Sequence, residues 1–222
     1  MKILTVNVGR PKAVTYTDAP SGMTGIDKRP TDAAVWVADP GPRGVGASGL
    51  AGDAVCDLRF HGGTHQAVYA FAREDLDQWE AELGRPLSNG VFGENLTTSG
   101  IEVSGALIGE RWRIGTGPVL EVASGRVPCR TFADWLGEKG WVRRFTRRAG
   151  AGAYLRVIEP GEIRAGDPVE IVHRPDHEVT ASFAFRAHTL ERELLPRTLA
   201  AGDALDPGIR EAALKYAARS AS

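Results

Sequence analysis

The feature that most constrains this chain is the spacing of its short β-prone runs. Ile3–Val8, Ala34–Ala38, Ala54–Leu58, Ala67–Phe71, Glu110–Ile114, Val119–Ala123, Ala153–Ile158 and Pro168–His173 are rich in β-branched or aromatic residues. Most are bounded by Gly, Pro, Asp or Asn. Many short strands with few helices between them predict a mainly β fold, a closed or nearly closed barrel with a few peripheral helices, over residues 1–175. Glu159-Pro160-Gly161-Glu162 and Ala165-Gly166-Asp167 read as turns late in that barrel. Three helices interrupt or follow the strands. Arg73–Leu83 places Leu76, Trp79 and Leu83 on one face and ends at Gly84. Thr131 is positioned to cap a second helix that stops before Gly140, and Trp141–Arg148 is a third, amphipathic stretch. Beyond residue 176 β-branched residues thin out and Ala, Leu, Glu and Arg dominate, which predicts a small helical region over 176–222. Pro40–Gly49, crowded with glycine and proline, reads as a mobile surface loop.

Composition excludes several classes. The chain has 222 residues and only two cysteines, so neither a disulfide-built module nor a cysteine-held iron–sulfur cluster is available. Its longest apolar stretch, Ala33–Ala38, is far short of the ~20 residues of a membrane span, and the N-terminus lacks a basic segment followed by an apolar one, so a cytoplasmic protein is expected. Lys and Arg total 27 against 28 Asp and Glu, which argues against a general nucleic-acid binder. The charges are nevertheless uneven. Phe71–Glu110 holds eight acids and two bases, whereas Arg126–Arg148 holds seven bases and two acids. Solvated helix faces are the default reading of such runs, but the basic run surrounds Cys129.

Cys129 stands in Arg126-Val127-Pro128-Cys129-Arg130-Thr131, between a strand and the start of a helix. Arg126 and Arg130 and the helix N-terminus favour a thiolate, the form that attacks electrophiles or binds soft metals; the alternative is an ordinary small residue in a barrel wall. Cys56, alternating with Val55 and Asp57, reads as a structural strand residue. In His61-Gly62-Gly63-Thr64-His65 the paired glycines let the backbone approach an anion or a carbonyl-rich ring. A zinc pair of His61 and His65 is disfavoured, because two glycines intervene and no third ligand follows at suitable spacing. Lys28 and Arg29 beside a glycine turn suit a phosphate, and Glu94-Asn95 suits a turn that fixes a neighbouring loop. No P-loop, dinucleotide fingerprint, nucleophile elbow or His-Glu-x-x-His helix occurs.

Taken in order, TGIDKRP, GLAGDAVCDLRFHGGTHQAVYAF, Trp79, FGENL, IGERWRIG, RVPC and AYLRVIEPGEIRAGDPVEIV resemble the MOSC family, the molybdenum cofactor sulfurase C-terminal domain, in its stand-alone YiiM-like branch. The resemblance spans residues 1–175, and the tail is similar to a divergent form of the branch's three-helix domain. It implies a β-barrel holding the molybdenum cofactor, with molybdenum on one pterin dithiolene and Cys129 as its protein ligand. It also implies Lys28, Arg29, His61, Gly62, Gly63, Arg126 and Arg130 as cofactor contacts. Pyridoxal phosphate binding is a further association at family level. The implied activity is reduction of N-hydroxylated bases or N-oxides, with His61 or His65 as proton source. A small N-hydroxylated substrate and a separate electron-donor protein are the implied partners, with neither nucleic acid nor membrane, in a monomer or homodimer. The alternative is a module that binds or carries the cofactor, or a persulfide on Cys129, without reductase activity. The Ser-Gly before Arg126 and a longer glycine-rich loop over 40–49 depart from the branch's usual pattern and bear on substrate choice.

Overall fold

The structure, a computed structural model, describes residues 1–220. Its centre is an eight-stranded sheet. The strands in chain order are β1 (Lys2–Gly9), β2 (Lys12–Ala13), β3 (Met23–Thr24), β4 (Lys28–Thr31), β5 (Val35–Val37), β6 (Val68–Ala72), β7 (Leu96–Ser99), β8 (Arg111–Ile114), β9 (Val119–Ser124), β10 (Ala153–Glu159), β11 (Gly161–Ile163) and β12 (Val169–His173). The main sheet runs β12-β8-β9-β10-β6-β7-β1-β4, antiparallel except for the β6–β7 pair, while β5–β11 and β2–β3 form two separate ribbons. The barrel expected from strand spacing does not form as a closed ladder. The chain curls far enough for Lys2 to bridge Pro168 and for the Ile3 N–H to reach the Asp167 carbonyl at 2.9 Å, but β4 and β12 remain edges. The fold is a sheet-dominant mixture of strands and helices.

Several local expectations need correction. Ala54–Leu58 is not a strand: the Asp57 carboxylate accepts from the Arg59 N–H at 3.2 Å and from its guanidinium at 2.8 Å, a local turn that competes with a ladder. Gly161 lies in β11, which covers β5, rather than in a turn alone. β4 and β7 carry no apolar alternation. β4 tolerates Pro30 because it is an edge strand, and β7 is buried through Leu96, Thr97 and Thr98.

Helix α1 (Arg73–Leu83) and helix α3 (Trp141–Arg148) match the apolar spacing, and Gly84 closes α1 in the left-handed conformation. Between them α2 spans Arg130–Leu136, with Cys129 rather than Thr131 at its N-cap and Gly137 rather than Gly140 at its end. These three helices are pinned by an aromatic cluster. Phe132 of α2 packs with ring centroids 5.1 Å from Phe92, 5.4 Å from Trp141 and 5.4 Å from Phe145, and Trp79 of α1 lies 4.6 Å from Trp141.

The tail forms α4 (Ala181–Thr189), α5 (Leu195–Thr198) and α6 (Pro207–Ser220). Thr180 caps α4 by accepting from the Phe183 N–H at 3.0 Å. Val179, Ala184, Leu195, Leu205 and Ile209 join the same core as Val6, Trp112 and Leu155 of the sheet. No helix among the described residues is long and apolar enough to cross a membrane. The acidic and basic runs meet each other: Arg144 and Arg148 of α3 bond the Glu82 carboxylate at 2.5 and 2.9 Å, and Arg85 reaches Glu138 at 3.2 Å.

Candidate functional site

One cavity of about 540 Å³ opens between the sheet, the loop after β9, the 53–62 segment and the tail helices. β9 delivers the chain to it. Ser124 ends the strand, and Gly125 sits tightly against α4, where a Cβ would fall 3.0 Å from that of Phe185. Arg126 then turns inward while Val127 stays exposed, and Cys129 enters α2 on the cavity wall. Because Phe132, one turn on, is locked into the aromatic cluster, the position of Cys129 is set by packing rather than by a flexible loop.

Arg126 is a buried cation of the site. Its guanidinium lies 4.3 Å from the Phe132 ring centroid and 5.1 Å from that of Tyr69, and it donates to the Phe92 carbonyl. Its Nε is buried without a hydrogen-bond partner. Glu94 holds the turn that presents that carbonyl. Its carboxylate accepts from Gly90 N at 2.5 Å, Phe92 N at 3.0 Å and Thr97 Oγ1 at 2.9 Å, while burial pushes its pKa up against those bonds. Asn95 bonds Asp53 at 2.9 Å and takes the Tyr69 N–H at 3.1 Å, so Glu94-Asn95 organises the loop, as its sequence suggested. Burial likewise pushes the Tyr69 and Tyr154 phenols up, keeping both protonated.

Of the residues singled out in the sequence, Cys129, Arg126, Lys28, His61 and Gly62 line the cavity; Arg29, Gly63, His65 and Arg130 do not. Lys28 is committed to a buried ion pair with Asp53, whose carboxylate also accepts from Gly9 N at 2.7 Å. Burial lowers the Lys28 pKa, with Asp53 opposing. Arg29, 77% exposed, pairs with Asp27, and Arg130 pairs with Asp18 and Asp134. The two glycines serve the chain's own packing: a Cβ on Gly62 would meet the Ala47 carbonyl oxygen at 2.4 Å, and one on Gly63 the Arg43 nitrogen at 2.6 Å. His61 is held neutral, its pKa lowered to about 4 by burial and then by Arg126, with Asp57 opposing. His65 sits on a short 3-10 helix, Thr64–Gln66.

Sequence reading missed Cys56 as a wall residue. It faces the cavity from the 53–62 segment, and burial raises its thiol pKa. It also missed Tyr154, Gln66, His188 and Asp206, which reach the cavity from segments far apart in the chain.

The model of the MOSC domain matches residues 57–170 of this chain. The chain belongs to the MOSC family. YflK of Bacillus subtilis, an uncharacterized protein, is 34% identical over 184 residues, which are 83% of this chain and 79% of YflK. A Gibberella moniliformis protein named "Reductase" is 31% identical over 139 residues, 61% of this chain but 24% of that protein, so this chain corresponds to about a quarter of it. The crystal structure of YiiM from Geobacillus stearothermophilus superposes with a TM-score of 0.76 at 26% identity, covering 96% of this chain and 97% of that one. This MOSC protein is therefore of the YiiM-like kind.

The family's association with the molybdenum cofactor is testable on the residues present. Among the described residues, no three His, Cys, Asp or Glu side chains converge as a metal cage. A metal held through Cys129 would thus take its remaining ligands from a cofactor, and a single thiolate suits a metal already bound by sulfur. The cavity has the size of a cofactor site, and the unpartnered Arg126 Nε is a buried donor for an anionic group. The residues fit the group.

Proposed function

We propose that this MOSC protein is a molybdenum-cofactor-dependent reductase of N-hydroxylated compounds, acting at Cys129. The observation that carries the reading is the pairing of a packed, cavity-facing Cys129 with the buried Arg126, whose Nε lacks a partner. Cys129 would be the protein thiolate to the metal, and Arg126 the fixed positive charge beside it. When bound, the cofactor supplies two electrons to an N–O bond, so that an N-hydroxylated base and two protons become the amine and water.

The chain's own residues bind and orient. His61, neutral at pH 7, accepts a hydrogen bond from an N–OH group but carries no imidazolium proton to act as a general acid at that pH. Protons therefore enter from water at the cavity mouth, beside the exposed Phe60 and Val127. His65, off the cavity wall, acts at most through the neighbouring Gln66. Two cysteines that both line the cavity leave electrons to be delivered by a separate donor protein.

The test uses protein expressed in a host that makes the cofactor. Molybdenum and pterin are measured, then reduction of a hydroxylaminopurine with an artificial electron donor. The reading expects about one molybdenum per chain in the wild type, loss of metal in Cys129→Ser and loss of turnover with it. A wild type without molybdenum and pterin overturns it. Bound cofactor without reduction favours the carrier module instead, and unchanged turnover in Cys129→Ser removes the ligand assignment.

A further inference from the structure

The four arginines of α3 fall into two pairs with different surroundings. Arg144 and Arg148 are held by the Glu82 carboxylate of α1. Arg143 and Arg147 are exposed and, with Lys139 in the exposed turn before the helix, make no hydrogen bond or ion pair among the described residues. Val142, 40% exposed, adds one apolar side chain to this surface. The acids closest in sequence or across the helix pair are already committed: Glu82 to the inner arginines, Glu138 to Arg85 and Asp134 to Arg130.

Folding alone does not account for this placement. Arg143 and Arg147 stand one turn apart, where like charges repel. Arg143 also lies in the first turn, at the positive end of the helix dipole, and no acid accompanies it there. Only Arg147, in the last turn, gains from the dipole. The surface is therefore left to be neutralised by an acidic partner from outside the chain. Its place in the fold says what such a partner could do. Trp141 and Phe145, on the buried side of the same helix, each lie 5.4 Å from the ring of Phe132, one turn after Cys129, and Cys129 packs against this aromatic cluster. Among the described residues none of α3 lines the cavity, so a protein docked on this helix leaves the mouth beside Phe60 and Val127 open to substrate and water.

We infer that Lys139, Arg143 and Arg147, with Val142 among them, form the docking face for a small acidic one-electron carrier protein, whose electrons pass inward across the Trp141–Phe132 ring pair toward Cys129. The electron transfer rests on the reductase reading, whereas the docking itself does not. Two reduced carriers, each oxidised by one electron, serve one turnover; the two electrons, with two protons from water, break the N–O bond and leave amine and water. Three cations and one apolar side chain make a small, polar contact, as suits electron-transfer encounters that must form and dissociate quickly.

The probe is a plant-type [2Fe–2S] ferredoxin, a small acidic one-electron carrier, titrated calorimetrically into the full chain purified from a cofactor-competent host, with molybdenum measured on the same preparation. The wild type should bind it at low ionic strength and lose affinity as salt is added. The double reversal Arg143→Glu/Arg147→Glu should weaken binding about tenfold or more, and the neutral pair Arg143→Gln/Arg147→Gln should do so less, both with melting temperatures close to the wild type's. Hydroxylaminopurine reduction driven by subsaturating ferredoxin should fall in parallel, while reduction driven by reduced methyl viologen, a small cation that the reversal does not repel, should not change. Absent or unaltered ferredoxin binding, or an equal loss with both donors, overturns the docking face. So does tighter binding of duplex DNA or phosphatidylglycerol vesicles through the same arginines. Ferredoxin binding lost on reversal, in a molybdenum-loaded protein that reduces nothing with methyl viologen, overturns the reductase reading and leaves the docking face standing.

Discussion

Replacing Asp53 with Asn isolates one charge in the wall of the site. Asp53 and Lys28 form an ion pair whose side chains are 1% and 8% exposed, and the carboxylate also receives Gly9 N and Asn95 Nδ2. Asn keeps the shape and an acceptor oxygen but leaves the ammonium buried without a counter-charge. Breaking such a pair on one side costs about 3–5 kcal/mol. The cost at pH 7 has a ceiling, because Lys28 can shed its proton instead. From an unfolded pKa of ~10.4 that ceiling is about 5 kcal/mol. At about 2–4 °C per kcal/mol for a chain of this length, the melting temperature should fall roughly 10–15 °C.

The pH dependence gives the sharper test. Burial lowers the folded Lys28 pKa, so between that value and ~10.4 the unfolded state holds the extra proton and stability rises with pH. In Asp53→Asn that window widens downward, and the penalty should be smaller at pH 9 than at pH 7. Adding Lys28→Met should recover at least half the loss. Calorimetric melts of the wild type, both single variants and the double variant measure all of this. A penalty below about 1 kcal/mol, or one identical at the two pH values, would refute the assignment of a buried, mutually dependent pair.

Other perturbations test other links. The His61 ring should titrate near pH 4 by NMR, and because the unfolded ring takes its proton near 6.5, stability should fall as pH drops from about 6.5 to about 4; a midpoint near 6.5 would place His61 in solvent. Phe132→Ala should cost about 3–5 kcal/mol and, by loosening α2, speed alkylation of Cys129 in native protein; unchanged alkylation would separate the cysteine from the aromatic cluster. Glu82→Gln, which removes the partner of Arg144 and Arg148 on an exposed face, should cost less than about 1 kcal/mol in chemical denaturation, and a larger loss would mean the two charged runs form a stability-determining network.

What was legible in the sequence had local causes. The limits of α1 and α3 follow from apolar spacing of three and four and from the glycines that end or precede them. The runs that became β6, β8, β9 and β10 were visible because their side chains meet the core at a fixed period or are buried on both faces. β4 and β7 were invisible, since Lys28-Arg29-Pro30-Thr31 and Leu96-Thr97-Thr98-Ser99 have no such pattern; β4 is recruited by β1, and β7 by β1 and β6. Whether the sheet closed depended on contacts between the chain's two ends, which no local pattern encodes.

The same distinction holds at the site. Cys129 and Arg126 stood out because their surroundings are adjacent in sequence. Cys56 was misread because its alternation imitates a strand, although turn chemistry at Asp57 prevents one. Lys28 looked available for a phosphate because Asp53, its partner, is 25 residues away.

The Arg43–Asp206 pair joins residues 163 positions apart and forms part of the wall of the cavity. The binding space is thus finished only when helices after residue 180 fold back onto a loop far earlier in the sequence. A fragment limited to residues 57–170, where the family signature lies, would keep Cys129 and lose the opposite wall. The walls of the cavity are therefore open to different evolutionary pressures: drift in the tail and in the 40–49 loop can change what is admitted while the wall at Cys129 stays as it is.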